Sequence, residues 1–332
     1  MNKTVFTGIR GWTFVFLFIT ALTINTNAAG SKDTTAAKLT KIRLGDLPGT
    51  TFIMKVALEK GFFREEFEND GITVENNIFA SGPPIIEAFA AGELDFGTIG
   101  AQPVIQGFAN YVPFKVIAGS NYTDTAFKLA AGPKSTINSV KDLAGKRVAC
   151  GFGTNSHQVL ISLLQNAGIS EDQVELVNLS DAAPALIAGS VDATISSEPG
   201  TSRLLSGGAR IITDGGDYGK ILIVTVVSEA FLKNYPQETI RVLKVLRKAS
   251  DWLKDNEEEG VKIGAYLNNA SSLDEVRRGL KSRTRSIDIE PQNLRIPLQQ
   301  TIDFLYSHGF IRRPVDINDL LDESVYRNAG LN

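Results

Sequence analysis

Six short segments of this 332-residue chain are together rich in glycine, serine and threonine and contain no lysine or arginine. Each follows a β-type run and precedes a helical pattern. Helix N-termini offer unpaired backbone N–H groups and a partial positive charge, and hydroxyl groups add donors. Such turns can hold a small oxyanion without a full countercharge, which favours a compact monoanion over a polyphosphate. The segments are GDLPGTT (45–51), ASGPP (80–84), TIGAQP (98–103), GFGTNSH (151–157), SDAAP (180–184) and SSEPGTS (196–202).

The candidate ligand contacts come from these segments. The alternative is that serine, threonine and asparagine only cap their own helices, as they do in most proteins. Several similar turns brought to one edge of a sheet, at an interface between lobes, strengthen the binding interpretation until it equals the capping one, and the sequence leaves both open. The candidates are Asp46, Pro48, Gly49, Thr50, Ser81, Gly82, Pro83, Gly100, Gln102, Thr154, Asn155, Ser156, His157 and Glu198.

Three of these candidates have specific alternatives. Asp46 could bind a ligand amine, or it could form the turn before Pro48. Glu198 could meet the same amine, or the dipole of the following helix could alone favour a carboxylate there. His157 opens a predicted helix, where the dipole disfavours a charged imidazole, so it is either a neutral donor to an anion or a capping and core residue.

Cys150 is the only cysteine, which excludes an intramolecular disulfide and a cysteine-based metal cluster. It ends a β-type run just before GFGTN, so a Cys–His nucleophile pair with His157 is one hypothesis. The more common role of a strand-end cysteine is that of a small buried hydrophobic residue. Two histidines, the second at position 308, are too few for a His-rich metal site, and phosphate-loop, dinucleotide and hydrolase motifs are missing from the sequence. We therefore expect no metal and no cofactor.

A particular succession of strands and helices must position these turns. From residue 39, β-type and helical patterns alternate, which is typical of an α/β protein with a parallel sheet covered by helices on both faces. The succession occurs twice, with EAFAAGELDFGTI (87–99) in the first copy and ALIAGSVDATI (185–195) in the second. In each copy an Ala-Gly pair ends a helix, and Asp95 or Asp192 begins the next strand. The repeat therefore spans a whole α/β lobe.

The repeat predicts two Rossmann-like lobes. Lobe I comprises residues 39–124 and 222–332, and lobe II comprises residues 125–221. No linker rich in glycine, serine or proline separates them, so the crossings near 121–131 and 217–227 are predicted to be hinge strands. Beyond the second crossing amphipathic helical patterns predominate, and their charge runs are typical of solvated faces.

Residues 1–29 have the pattern of a secretory signal peptide. Lys3 and Arg10 precede an uncharged apolar run that is too short and too interrupted to span a membrane, and small residues follow. No cysteine lies near the junction, so the mature protein is predicted to be exported and not a lipoprotein. Removing the leader changes the net charge from -3 to about -5, and such a chain lacks the basic stripe of a nucleic-acid-binding protein.

The chain also contains the segments EKGFFREEFENDGITVE, SGPPIIEAFAAGELDFGTIG, GFGTNSH and QQTIDFLYSHGFIRRPVDINDLLDE. In these it resembles the periplasmic solute-binding proteins of ABC transporters for aliphatic sulfonates, taurine and nitrate, within the NMT1/THI5-like superfamily. The resemblance implies a type II periplasmic-binding-protein (Venus-flytrap) fold with mixed sheets, an oxyanion held between the lobes, a membrane permease as partner and a periplasmic monomer. SGPP and TIGAQP match the sulfonate-binding pattern of the first lobe, and GTNSH matches a turn of the second.

The chain departs from these relatives in two turns. Sulfonate binders often have glutamine or tyrosine where this chain has GDLPG, and an aromatic-rich segment where it has SEPGT, so the organic part of the ligand stays open. An enzyme on the same scaffold is one alternative, because thiamine-precursor synthases and a sulfinate desulfinase with a cysteine nucleophile have a similar fold. The leader argues against an intracellular cofactor enzyme. A sensory binding protein is the other alternative.

We expect export to remove the leader. N-terminal sequencing of the protein from the periplasmic fraction should give a first residue at or next to Ala29, because cleavage follows small residues. A chain that keeps Met1 and partitions with the membrane would contradict the assignment of a cleaved leader.

Overall fold

The structure is a computed structural model of the chain. It describes residues 38–47, 52–123, 127–197, 200–215, 221–267, 273–274, 276–277 and 290–331, which belong to one compact unit. The predicted leader lies outside these ranges. Among the described helices, none is long and apolar enough to cross a membrane.

Two five-stranded sheets organise the described residues. The strands are β1 (Lys41–Asp46), β2 (Thr73–Ile78), β3 (Phe96–Gly100), β4 (Phe114–Thr123), β5 (Lys128–Ala131), β6 (Arg147–Cys150), β7 (Glu175–Asn178), β8 (Ala193–Ser196), β9 (Arg210–Asp214) and β10 (Ile221–Ser228). The first sheet has the order β2-β1-β3-β10-β4, and the second has the order β7-β6-β8-β5-β9. The two orders are equivalent, so the repeat in the sequence is a repeat of sheet topology.

Helices connect and cover these strands. They are α1 (Phe52–Glu59), α2 (Phe62–Phe67), α3 (Gly82–Ala90), α4 (Ala101–Ala109), α5 (Asn155–Asn166), α6 (Ala183–Ala188), α7 (Gly200–Ser206), α8 (Glu229–Asn234), α9 (Pro236–Asp255), α10 (Glu257–Leu267), α11 (Arg295–Ser307), α12 (Ile317–Leu320) and α13 (Ser324–Asn328). The apolar residues of segment 51–63 have the spacing of one continuous helix, but the structure divides the segment into α1 and α2. Gly61 has a φ of 71°, a left-handed conformation that ends a helix and that glycine adopts without steric cost.

Both sheets are mixed, as the resemblance implied, whereas strand–helix alternation alone predicted parallel strands. β10 runs antiparallel to β3 and β4, and β5 runs antiparallel to β8 and β9. Among the described elements, β5 follows β4 and β10 follows β9, so each of these strands enters its sheet from the other sheet, and it runs in the reverse direction. Parts of both crossings lie outside the described residues, so the lobe boundaries and the hinges stay predictions.

The repeated glycine and aspartate positions bind an arginine of β1 in the first sheet and an arginine of the equivalent strand, β6, in the second. The carboxylate of Asp95 accepts hydrogen bonds from the backbone N–H of Arg43 at 2.7 Å and from its Nε and Nη2 at 3.0 and 2.7 Å. Nη1 of the same arginine donates to the carbonyl oxygen of Gly92 at 2.7 Å. These hydrogen bonds join β1 to the residue that precedes β3.

The second sheet repeats this arrangement. Asp192 accepts from the backbone N–H of Arg147 at 2.9 Å and from its Nη2 at 3.2 Å, and Nη2 also donates to the carbonyl of Gly189 at 3.0 Å. The backbones of both glycines have the left-handed conformation, with φ values of 71° for Gly92 and 80° for Gly189. The Gly-x-x-Asp spacing therefore serves an arginine clamp at the edge where the parallel strands begin.

Alternating residues of the strands separate the cores on the two faces of a sheet. In β6, Val148 and Cys150 pack into a cluster with α5, whereas Ala149 packs into a cluster with α6 and α7. Phe304 and Phe310, from α11 and the turn after it, pack against the core of each sheet. The C-terminal region thus joins the two sheets through apolar contacts.

The arginine clamp predicts a stability difference between aspartates. Asp95→Ala should lower the free energy of unfolding by about 2–4 kcal/mol, because it leaves the partly buried guanidinium and amide of Arg43 without their acceptor. Asp172→Ala, at an exposed position, should change it by less than about 0.5 kcal/mol. Urea unfolding followed by circular dichroism measures both, and equal effects would show that the clamp is not a main support of the sheet.

Candidate functional site

Three helix N-termini meet between the two sheets. A Cβ atom added to Gly82, at the start of α3, would lie 2.6 Å from Cγ of Pro103 in α4. A Cβ atom on Gly100, just before α4, would lie 3.0 Å from Nδ2 of Asn155 at the start of α5. Because each helix follows the carboxyl end of a parallel strand, the two sheets present their C-terminal edges to each other here.

A hydrogen bond and a close approach join the sheets at this point. The backbone N–H of Gln102 donates to Oδ1 of Asn155 at 3.4 Å. On the side of the second sheet, the Cβ position of Gly153 is 3.7 Å from Cγ of Pro83. Candidates from TIGAQP, SGPP and GFGTNSH are therefore brought together, as the binding interpretation predicts.

Hydroxyl groups at these turns do not cap their own helices. Ser81 and Thr154 occupy the N-cap positions of α3 and α5, yet neither side chain makes a capping hydrogen bond. The hydroxyl of Thr154 donates to the carbonyl of Gly151 at 2.6 Å and lies 2.8 Å from Oγ of Ser156. The capping alternative is therefore disfavoured at both N-cap positions.

The hydroxyl groups of this turn bond within the turn, so backbone amides are the donors that remain for a ligand. The hydrogen of Thr154 Oγ1 is used by Gly151, so the hydroxyl of Ser156 is the donor between them. The amides of Asn155 and Ser156 belong to the first turn of α5, where N–H groups have no partner within the helix. The rigid turn can therefore present two amides and the helix dipole to an anion.

Gln102 and Gln106 bring two carboxamides to the same place. Gln102 is fully buried, and neither its Nε2 nor its Oε1 has a hydrogen-bond partner among the described residues. Gln106 follows one helical turn later, and its Nε2 also lacks a partner there. The sequence analysis included Gln102 among the candidates and did not include Gln106. The signal for Gln106 is its position four residues after Gln102, on a helix that begins at a candidate turn.

Asp46 is the last residue of β1 and is fully buried. Its Oδ1 accepts from the backbone N–H of Leu47 at 2.7 Å, and its Oδ2 has no hydrogen-bond partner in the described part of the chain. Burial raises the pKa of Asp46 to about 7, against the opposing effect of the positive charge of Lys55. The bond to Leu47 fits the turn-forming role, whereas the unpartnered Oδ2 is compatible with a ligand contact, so the role of Asp46 stays a prediction.

Lys55 is a second residue that the turn segments do not reveal. The turns themselves carry no lysine or arginine, but α1 places this lysine, which is 6% exposed, close enough to affect Asp46. The signal in the sequence was a single basic residue among the apolar positions of the helix. The segment GDLPGTT (45–51) therefore has a positive charge near its Asp46, although it contains no lysine or arginine itself.

His157 packs between aromatic rings. Its imidazole stacks on Phe152 with ring centres 5.0 Å apart and meets Phe310 edge-on at 5.2 Å. Nδ1 accepts from the backbone N–H of Gly153 at 3.5 Å, and Nε2 lies 3.8 Å from the carboxylate of Glu171. Burial lowers the pKa of His157, and the charge of Glu171 opposes the shift. These contacts favour the core alternative, in which the neutral ring supports the turn before α5.

Cys150 does not have the environment of a nucleophile. Its side chain is 1% exposed, and burial raises the pKa of the thiol to about 12. A thiolate is therefore strongly disfavoured at neutral pH, and the Cys–His hypothesis loses its chemical basis. Within the described ranges, no group of three or more His, Cys, Asp or Glu side chains could hold a metal ion.

Four of the predicted contacts lie outside the described residues. They are Pro48, Gly49, Thr50 and Glu198. Their roles stay predictions, together with the question of a ligand amine near Glu198.

Two mixed sheets whose C-terminal strand edges face each other define the periplasmic-binding-protein fold. A solved structure of this fold, the alkanesulfonate-binding protein SsuA from Xanthomonas axonopodis pv. citri bound to MOPS, matches with a TM-score of 0.78 and 24% identity. The match covers 86% of this chain and 99% of that one. At this identity the likeness shows the fold alone, and it confirms the fold class predicted from the sequence.

The chain belongs to the NMT1/THI5-like family, whose model matches residues 50–260. An aliphatic sulfonates-binding protein of Bacillus subtilis (strain 168) is 32% identical over 298 residues, which are 88% of this chain and 89% of the relative. The family resemblance noted in the sequence is thereby confirmed.

The same fold also occurs in an enzyme. The desulfurization enzyme DszB matches with a TM-score of 0.68 and 16% identity, over 88% of this chain and 99% of that one. The fold alone therefore does not separate a binding protein from an enzyme, whereas the Bacillus subtilis relative carries the name of a binding protein.

The lowered pKa of His157 predicts a pH dependence of stability. The unfolded chain, with a histidine pKa of about 6.5, binds the proton more readily than the folded protein. The contribution of His157 is therefore complete above about pH 6.5 and is lost as the pH falls toward the folded-state pKa. Between about pH 7.5 and about pH 5.5, urea unfolding should show a larger loss of unfolding free energy for the wild type than for His157→Gln. Equal losses would contradict this assignment.

Proposed function

We propose that this protein is the substrate-binding component of an ABC importer and that it captures a small organic oxyanion, an aliphatic sulfonate, between its two sheets. The observation that carries the proposal is the meeting of the N-termini of α3, α4 and α5 at one point. Backbone amides and helix dipoles suit a compact anion with several acceptor oxygens. The Bacillus subtilis relative, named for aliphatic sulfonates, supports this ligand class.

The proposed contacts come from both sheets. Ser81, Gly82 and Gln102 would contact the ligand from the first sheet, and Thr154, Asn155 and Ser156 would define the turn that meets it from the second. The hydroxyls of Thr154 and Ser156 hold this turn in shape, so the amides would make the direct contacts. A ligand that bridges α4 and α5 would favour the closed arrangement, because it contacts both sheets only there.

A role outside the cytoplasm fits the same proposal. The leader predicted over residues 1–29 would deliver the protein to the periplasm as a soluble monomer, where it would pass its ligand to a membrane permease. The Bacillus subtilis relative, named as a binding protein for aliphatic sulfonates, supports the capture step of this role.

We propose a binding protein and not an enzyme. The desulfinase hypothesis required a reactive cysteine, and the only cysteine of the chain is buried with a pKa raised to about 12. Its neighbours Val148 and Ala149 belong to the core of the second sheet, so the thiol has the surroundings of a packing residue. Cys150→Ser should therefore leave ligand binding unchanged.

Saturating sulfonate should stabilise the protein. At about 100 times the dissociation constant, the ligand should add about 2.7 kcal/mol to the free energy of unfolding, because only the folded state binds it. Calorimetry should also show about tenfold weaker binding to Thr154→Val, which loses the hydroxyl that organises the turn.

Ser170→Ala is the matched control, since it removes a hydroxyl from the start of the short 3-10 helix Glu171–Gln173, which precedes β7 of the same sheet. It should lower stability by about 1 kcal/mol and leave the affinity unchanged. The proposed ligand class would be wrong if alkanesulfonates, taurine, sulfate esters and nitrate all failed to stabilise the wild type.

A further inference from the structure

The carboxamide of Gln102 is an unsatisfied donor and acceptor inside the proposed site. The side chain is 0% exposed, and both Nε2 and Oε1 lack a partner among the described residues. A buried amide with neither atom bonded is rare in folded proteins, because its desolvation is then uncompensated. The carboxamide of Gln102 therefore needs hydrogen-bond partners that the described residues do not supply.

The helix geometry directs this carboxamide toward the second sheet. Gln102 and Gln106 are four residues apart, so they lie on the same face of α4. The Oε1 atom of Gln106 is 3.7 Å from the Cβ position of Gly153 in the turn before α5, and the backbone N–H of Gln102 donates to Asn155. This face of α4 is therefore the one turned toward the proposed anion site.

An anionic head group alone cannot satisfy Gln102. Sulfonate oxygens are acceptors, so they can receive a hydrogen bond from Nε2 but can give none to Oε1. Oε1 needs a donor, and a plain alkyl tail has none. A hydroxyl or an ammonium group on the carbon chain next to the sulfonate would supply it.

We propose that Gln102, with Gln106 beside it, selects sulfonates whose tail carries a hydrogen-bond donor close to the anionic group. This inference rests on the proposed function and specifies its ligand. A ligand of this kind satisfies both atoms of the Gln102 carboxamide, whereas an unsubstituted alkanesulfonate leaves Oε1 buried and unpaired. A site built to hydrogen-bond a substrate group discriminates strongly against analogues that lack it.

Calorimetry with three two-carbon sulfonates tests this proposal on the full mature chain. Ethanesulfonate has no donor, isethionate carries a hydroxyl group and taurine carries an ammonium group. The wild type should bind isethionate or taurine at least about tenfold more tightly than ethanesulfonate. Comparison of isethionate with taurine identifies whether the donor is the hydroxyl or the ammonium group.

Gln102→Met should reduce this preference to about threefold or less, because methionine keeps the length of the side chain and removes both polar atoms. It should not lower the stability of the ligand-free protein, since no partner of the amide is lost. Gln106→Met should reduce the preference to a smaller extent, and it replaces the first variant if that one fails to fold. Gln237→Met is the matched control: it makes the same change in the first turn of α9, at an exposed position, and should keep the wild-type preference.

The possible outcomes separate the two proposals. Failure of all three sulfonates to bind the wild type would overturn the role of Gln102, and it would overturn the proposed function as well if longer alkanesulfonates, sulfate esters and nitrate also failed to stabilise the protein. Binding of ethanesulfonate as tightly as the other two, or a preference that survives in Gln102→Met, would overturn the role of Gln102 while leaving the proposed function intact.

Discussion

The structure depends on the arginine clamp that each sheet contains. In the first sheet the carboxylate of Asp95 binds both the backbone and the side chain of Arg43, and Gly92 supplies a further acceptor. Asp192, Arg147 and Gly189 repeat this in the second sheet. A charged bidentate contact that also includes the backbone holds neighbouring strands in one register. It lies at the edge where the parallel strands begin, so it leaves the opposite edge available for other chemistry.

That opposite edge carries the proposed site because the helices begin there. Once the strands are aligned, the N-termini of α3 and α4 lie side by side, and Gly82 permits their close approach. Gly100 does the same for the contact with Asn155 across the sheets. The small residues therefore allow three helix N-termini to approach each other, and their dipoles and amides would act together on the proposed anion.

Aromatic packing supports the turn that precedes α5 in the second sheet. His157 lies between Phe152 and Phe310, and Phe310 packs against the cores of both sheets. The turn that contains Thr154 and Asn155 is thus connected to the C-terminal helices that cover the first sheet. Any relative movement of the sheets would change these contacts, which gives the C-terminal region a physical connection to binding.

Local patterns in the sequence were sufficient to predict the strands, the helices and most of the turns. Alternating strand and helix patterns, the Ala-Gly helix ends and the repeat of two copies predicted α/β architecture and brought SGPP, TIGAQP and GFGTNSH into consideration together. Alternation alone wrongly favoured fully parallel sheets, because the reversed direction of β5 and β10 follows from how the chain crosses between sheets, and no local pattern records that crossing.

The sequence by itself determined which segments end strands and start helices, because caps, glycine stops and hydrophobic periodicity act over a few residues. Only the tertiary structure decided what the side chains at those positions do. It placed Lys55 near Asp46, enclosed His157 between rings and buried Cys150. It also left the carboxamide of Gln102 without a partner among the residues that the structure describes. Burial and pairing arise from residues that are distant in sequence, and they determine the charge state and the hydrogen-bonding capacity on which binding depends.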